Sequence, residues 1–296
     1  MTKIPEIRAG IETGPVAAAV QDLKNAYQTL HTDFSGIHLY LKAINRLLHE
    51  PASTACSVIE HAITELDAHR DNGLPAFHKM SAKKLLRLAL VFAFNDSTAR
   101  AQLGCLSRYS GDISPPVLIL AGGAADMPGD TQSRYNQTVL QILKPFKGTV
   151  ISGGTVSGLP GMAGKVVEQI RRSGQQNFSL IGYLPETLTA HITPDNRYDC
   201  LVRTENDHFS VLEPLQYWID LAVHNIKIQD ICLWGIDGGP IAAFEYRLAL
   251  ALGARTVVLR SSGRAADELI EDEYWRKNSN LVAWDDSNDF LEMQQV

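Results

Sequence analysis

The chain has 296 residues and only four cysteines, Cys56, Cys105, Cys200 and Cys232, with no C-x-x-C pair among them. Thiols scattered in this way exclude a disulfide scaffold or zinc ribbon and point to a reducing cytoplasm. Long apolar runs are missing too. The longest, Leu85 to Phe94, has ten residues and contains Arg87, whereas a spanning helix needs about twenty. The opening MTKIPEIRAGIETG lacks the apolar core of a secretory signal, so a cytoplasmic chain without a membrane segment is expected. There is no run of like charges, and 27 Lys+Arg against 33 Asp+Glu give a formal charge of -6. That balance disfavours nucleic acid and anionic membranes as partners. The nine histidines show no H-x-x-x-H spacing, so no metal site is expected.

What is present is the composition of a folded protein, with 45% apolar, 20% charged and 7% aromatic residues. At roughly 150 residues per domain the length corresponds to about two domains. Residues 16 to 108 carry helical periodicity: Val16, Val20, Leu23, Tyr27 and Leu30 form one stripe, and Ile37, Leu41, Ile44 and Leu48 another. A third helix is predicted from Pro51, a first-turn proline, through Ala55, Ile59, Ala62 and Leu66. The turn DNGLPAF separates it from a fourth, whose segment Leu85 to Phe94 is apolar nearly all round and must sit inside a bundle or against another domain.

At Ser114-Pro115-Pro116 the helical period stops. Short, wholly apolar runs follow, each the mark of a parallel strand buried on both faces: Val117 to Ala121, Thr149 to Ser152, Ser179 to Tyr183, Asp230 to Ile236 and Thr256 to Leu259. Amphipathic helices such as Met162 to Arg172 and Ala242 to Leu252 lie between them. The expected architecture is a helical domain, 1–112, followed by an α/β domain, 113–296, with a Rossmann-like doubly wound parallel sheet that binds ligands beyond the carboxyl ends of its strands.

The turns after four of these strands are rich in glycine: Gly122-Gly123, Gly153-Gly154, Gly238-Gly239 and Ser261-Ser262-Gly263. Each would leave backbone N–H groups aimed at one edge of the sheet, an anion site in the making. The longest turn continues as Thr155-Val156-Ser157-Gly158-Leu159-Pro160-Gly161, where the glycines permit close approach and Thr155 and Ser157 add hydroxyls. It matches neither G-x-G-x-x-G nor the Walker A loop, and without a lysine in the Walker position a magnesium-dependent NTPase is disfavoured. Arg264, next to Gly263, offers a planar guanidinium suited to bidentate phosphate binding, or to a plain surface ion pair. Glu245 lies one turn into a helix that Gly239 would cap and Pro240 would start; it reads either as a ligand-facing carboxylate or as a charge placed for the helix dipole. Asp207, His208 and Glu213 stand near a second helix start and read either as ribose contacts or as a solvated cap. Tyr217 and Trp218 read as core.

The loop SGGTVSGLPG resembles the GGG-x-x-GLMG turn of LOG-type phosphoribohydrolases, and DGGPIAAFE resembles their PGG-x-GT-x-x-E signature. Asp237-Gly238-Gly239-Pro240 and Ser261-Ser262-Gly263-Arg264-Ala265-Ala266-Asp267 look like the GGP and GSGRAAD segments of the SLOG domain of melastatin-type TRP channels, and Asp207-His208-Phe209 is similar to their HNHF segment. The stretch from about residue 114 to about 290 thus resembles the SLOG superfamily, a Rossmann-like fold; the helical domain is not covered. The resemblance implies one of two activities. LOG enzymes cleave the N-glycosidic bond of a nucleotide with the glutamate that matches Glu245. Channel-type SLOG domains bind ADP-ribose or cyclic ADP-ribose as sensors, commonly as oligomers. Here Ile241-Ala242 replaces the Gly-Thr of the LOG motif, and the LOG Arg-Lys pair has no counterpart in DHFSVLEPLQYWIDLAVHN. The expectation is therefore a nucleotide-binding protein without a required cofactor, self-associating or meeting a partner protein through the helical domain. Diphosphate would sit on the turns at Gly154 and Gly239 under Arg264, with ribose or base near Asp207, His208 and Glu245. An N-glycosidase using Glu245 is the alternative.

Overall fold

A computed structural model describes residues 14–29, 36–68, 76–123 and 129–285. The chain divides into two compact units, one ending at Arg100 and one beginning at Ala101. The first contains α1 (Pro15–Thr29), α2 (Ile37–Leu47), α3 (Ala52–Ala68) and α4 (Ala76–Phe94). Helix α5 (Ser97–Gly104) runs across the division. Each helix buries the stripe that its apolar spacing marks: Val16 and Leu23 on α1, Ile37, Leu41 and Ile44 on α2, Ala55, Ile59 and Leu66 on α3. Pro51 precedes α3 by one residue, and its carbonyl accepts from the amides of Thr54 and Ala55. Of the DNGLPAF turn, Ala76 and Phe77 belong to α4 and residues 71–75 lie outside the described residues, as does Leu30. Helix α4 packs on α2 and α3, with Leu85, Leu86, Leu88, Ala89, Leu90 and Val91 all buried. A helix apolar on every side is central to its bundle for that reason.

The second unit is built on β1 (Val117–Gly122), β2 (Lys147–Ser152), β3 (Asn177–Leu184), β4 (Cys200–Arg203), β5 (Ile231–Ile236), β6 (Arg255–Leu259) and β7 (Leu281–Trp284). These form one seven-stranded sheet in the order β4-β3-β2-β1-β5-β6-β7, with every pair parallel. Helices α6 (Gly129–Leu143), α7 (Gly158–Arg172), α8 (Leu212–Val223), α9 (Pro240–Leu252) and α10 (Arg264–Glu271) connect them. It is a Rossmann-like, doubly wound α/β fold. Side chains alternate across each strand, so Leu118 and Leu120 of β1 join Val139 of α6, Val166 and Ile170 of α7 and Leu180 of β3 in one core cluster. Val117 and Ile119 point the other way and are fully buried, and α9 packs on β1, β5 and β6.

Strands β4 and β7 have four residues each, are only part-buried, and occupy the two sheet edges. They lack the continuous apolar run that identifies the inner strands, so no strand was expected there. Asp230 ends a short 3₁₀ turn, Ile228–Asp230, and β5 begins one residue later.

The loop from β2 to α7 is drawn tight. Val156 N donates to Thr193 O (3.1 Å), Leu159 N to Gly123 O (2.8 Å) and Gly161 N to Ser157 O (3.2 Å). A Cβ on Gly161 would lie 1.9 Å from the carbonyl oxygen of Val156. Gly161→Ala is therefore expected to lower stability by about 1–3 kcal/mol, although alanine favours a helix by about 1 kcal/mol. Urea denaturation followed by tryptophan fluorescence measures it, and an unchanged midpoint would show that the loop yields.

Candidate functional site

The strand order reverses direction between β1 and β5, and it is there that a doubly wound sheet opens a crevice. A cavity of about 340 Å³ lies at this point, lined by the ends of β1, β2 and β3 and by the starts of α8 and α9. Its size is within the range of small-molecule sites.

One rim is an ion-pair clamp. Arg264 donates through Nε to Asp237 Oδ1 (2.7 Å) and through Nη2 to Asp237 Oδ2 (2.5 Å). Both residues sit in the left-handed region, Asp237 at φ 58° and Arg264 at φ 37°, a conformation that side chains hold only when neighbours enforce it. The enforcing bonds are plain. Ser262 Oγ accepts from Asp237 N (2.9 Å) and donates to Leu259 O (2.7 Å). Asp267 accepts from Ser261 N (2.8 Å) and Gly263 N (3.0 Å). Ala265 N and Ala266 N donate to the carbonyls of Gly238 and Asp237, and Tyr246 OH shares its proton between Asp237 O (3.0 Å) and Ala121 O (3.2 Å). The DGGP and SSGRAAD segments are thus two halves of one device. Gly123 fits closely under it: a Cβ there would come within 2.6 Å of Asp237 Oδ2 and 2.9 Å of Arg264 Nη2, so the clamp would have to shift.

Several expected phosphate contacts are spent on this clamp and on the β2–α7 loop. The Ser261 and Gly263 amides face Asp267, and the Ser262 hydroxyl serves Asp237. Gly154, Gly158 and Gly161 are buried, and neither they nor Ser157 line the cavity. Gly154 and Gly158 have φ 73° and 59°, which turns the chain at the loop, and Gly238 has φ 108° beside Ala242 and Tyr246. Asp207 and His208 are exposed and outside the lining; Asp207 Oδ1 accepts from Thr187 Oγ1 (3.4 Å) and His208 O from Asn206 Nδ2 (2.6 Å). The turn before α8 sends Phe209 into the cavity and leaves the two polar residues in solvent.

Of the residues singled out in the sequence, the fold brings Gly122, Gly153, Thr155, Gly239, Glu245 and Arg264 together around the cavity. Gly239 caps α9 and Pro240 starts it. No described residue accepts from the amides of Gly239, Ile241 or Ala242, and a Cβ on Gly239 would meet nothing within 4 Å. These three donors and the positive end of a 13-residue helix make a corner of positive potential. Arg264 stands on its rim with a half-exposed side chain, and its Nη1 has no hydrogen-bond partner among the described residues.

The opposite wall is aromatic and acidic. Glu245 accepts from Tyr217 OH at Oε1 (2.6 Å). Burial pushes its carboxyl up from 4.5 to about 7, against the opposing pull of the Tyr217 hydroxyl. Glu213 is buried and not a solvated cap; burial raises it too, opposed by donation from Thr204 Oγ1 (2.5 Å) and Ser210 N (2.7 Å). Tyr183 and Tyr217 meet edge to face at 5.7 Å, and burial drives both phenols well above their ordinary value. Tyr217, expected in the core with Trp218, is a cavity wall, whereas Trp218 is core. Glu213, singled out in the sequence, lines the cavity, and Tyr217 was detectable beside it, since a spacing of four places both on one face of α8. Tyr183 is the last residue but one of β3, but an apolar run gave no reason to pick it. Among the described residues, no group of three or more His, Cys, Asp or Glu could hold a metal, and no helix is long and apolar enough to cross a membrane. The four cysteines are free thiols.

A family profile described as "SLOG in TRPM, prokaryote" matches residues 115–295. The chain belongs to this family. The chain is also similar to solved structures, at low levels. The molybdenum cofactor carrier protein of Chlamydomonas reinhardtii is 18% identical, with 61% of this chain and 97% of that one covered and a TM-score of 0.43. The molybdenum cofactor binding protein of the phototrophic bacterium Rippkaea orientalis is 16% identical over 59% and 90%, with a TM-score of 0.41. No curated protein matches the chain.

The raised carboxyl makes a stability prediction. A carboxyl whose folded pKa exceeds its unfolded one contributes stability that is full below about pH 4.5 and lost as pH rises through about 7. Glu245→Gln keeps an acceptor for Tyr217 and removes the charge. It is expected to be more stable than wild type at pH 8, by up to about 3 kcal/mol, and no different at pH 4. Chemical denaturation at both pH values measures this.

Proposed function

We propose that the SLOG unit binds a nucleotide-derived ligand, an ADP-ribose, cyclic ADP-ribose or related NAD-derived nucleotide, and acts as a sensor or ligand-binding protein. The observation that carries the reading is the polarity of the switch-point cavity. Its one end offers unpartnered helix amides and a guanidinium, which suit phosphate. Its other end offers aromatic rings and the open Oε2 of Glu245, which suit a base and a sugar hydroxyl. Phosphate would lie on the α9 amides beside Arg264, and the sugar and base would extend toward Glu245, Phe209 and Tyr183.

A second reading, hydrolysis of a nucleotide N-glycosidic bond, is favoured by one feature. Glu245, held near pH 7, is partly protonated at neutral pH and suits a group that passes a proton. Mass spectrometry of small molecules released from the purified, denatured protein separates the two. A co-purified ADP-ribose-like nucleotide that survives incubation with fresh protein supports binding. Release of free base by wild type and not by Glu245→Gln makes the protein a hydrolase.

Under the binding reading, Arg264→Ala is expected to weaken ADP-ribose affinity about tenfold or more, measured by titration calorimetry. Wild-type affinity in that variant would remove Arg264 from the site. ADP-ribose at about 100 times its dissociation constant should stabilise the wild type by about 2.7 kcal/mol. No thermal shift with any adenine nucleotide or ADP-ribose derivative would end the reading.

A further inference from the structure

We propose that Tyr217 is the positioning residue of this cavity: its hydroxyl holds Glu245 by Oε1, so that Oε2 is left as the acceptor for a hydroxyl of the bound nucleotide. The inference rests on the nucleotide-binding reading above and assigns that site its polar selector. Glu245 reaches the cavity from the second turn of α9, a place from which an unrestrained glutamate would sample several rotamers. The 2.6 Å bond from Tyr217 OH ends that freedom. Oε2 has no hydrogen-bond partner among the described residues, and it is accessible from the cavity. A carboxylate oxygen in such a place gains from any donor that the ligand brings.

Tyr217 is itself fixed from behind. Its ring packs edge to face on Tyr183, whose hydroxyl donates to Asp220 Oδ2 (2.9 Å). Asp220 is fully buried and takes donors at Oδ1 from Ser107 Oγ (2.8 Å), Arg108 N (2.8 Å) and Gln216 Nε2 (3.2 Å). A buried phenol packed on a ring that is itself hydrogen-bonded is held in place, and its hydroxyl sets where the carboxylate stands. The charged and titratable groups facing Glu245 are Glu213 and Tyr217 from α8, Tyr183 from β3, Asp237 from the β5–α9 turn, Arg264 from α10 and Tyr246 on its own helix. The three tyrosines are held neutral by burial and Arg264 stays charged, which leaves Glu213 and Asp237, the latter paired with Arg264, as the other carboxyls.

The test is ADP-ribose binding to the full chain by calorimetry across the neutral pH range, for wild type, Tyr217→Phe and Glu245→Gln. Wild-type affinity is expected to fall as pH drops through about 7. Tyr217→Phe keeps the ring and loses the hydroxyl; it should bind about tenfold more weakly at the alkaline end, with its midpoint displaced upward. Glu245→Gln should show a flat profile. A Tyr217→Phe profile with the wild-type midpoint would make Tyr217 a mere wall and overturn the inference, and a pH dependence surviving in Glu245→Gln would assign it to another carboxyl, Glu213 or Asp237, and do the same. Binding of no ADP-ribose by wild type at any pH would instead bring down the functional reading, and the inference with it. Should Tyr217→Phe fail to fold, NMR of selectively ¹³C-labelled glutamate carboxyls in wild type decides. The Glu245 midpoint, assigned by its loss in Glu245→Gln, should fall when ADP-ribose donates a hydroxyl to it, and an unmoved midpoint would overturn the inference.

Discussion

The ion pair between Asp237 and Arg264 joins the turns after β5 and β6, beside the β1–β5 boundary where the sheet reverses its strand order, and the corner at the start of α9 depends on it. It ties two left-handed residues to each other, and a serine, an aspartate, a tyrosine and two helix amides tie them to the frame. Because the turn after β5 is held in this way, Gly238 and Gly239 deliver the N-terminus of α9 to the crevice with its amides unused. Backbone strain of about 1–3 kcal/mol per residue survives in a folded protein only where surrounding bonds exceed it. Here the network that exceeds it also shapes the corner at the start of α9.

The opposite wall runs on a different principle. Two carboxyls, Glu213 and Glu245, are withdrawn from water among tyrosines and prolines, and both are raised by burial. The fold could have been more stable at alkaline pH with neutral groups there. Glu213 recovers part of that cost through Thr204 and the Ser210 amide, which makes it a helix-start anchor as much as a site residue. Glu245 has one donor, Tyr217, and an accessible second oxygen. Of the two, Glu245 is the carboxyl whose hydrogen bonding the protein leaves incomplete.

Much of the fold was legible in the residues. The inner strands announce themselves as apolar runs because both faces of a parallel sheet are covered, and α4 announces its central place by being apolar all round. Strands β4 and β7 were not legible, since an edge strand of four half-buried residues carries too little pattern. At the site, Gly239, Arg264 and Glu245 could be chosen because helix starts and strand ends concentrate binding groups. Asp207 and His208 stand out through the likeness of Asp207-His208-Phe209 to the HNHF segment, and the turn before α8 presents their neighbour Phe209 instead.

The sequence by itself determined the class of sheet, the succession of glycine turns and the family, because apolar period and turn chemistry are local and survive without contacts. Only the tertiary structure decided which polar groups bind the protein's own atoms and which remain open. Asp267 and Asp237 take the amides and the guanidinium that a motif alone would offer to phosphate, and Tyr217 crosses from α8 to α9 to orient a carboxyl 28 residues away. A hydrogen-bond partner is chosen by distance in space, which the order of residues along a chain does not contain.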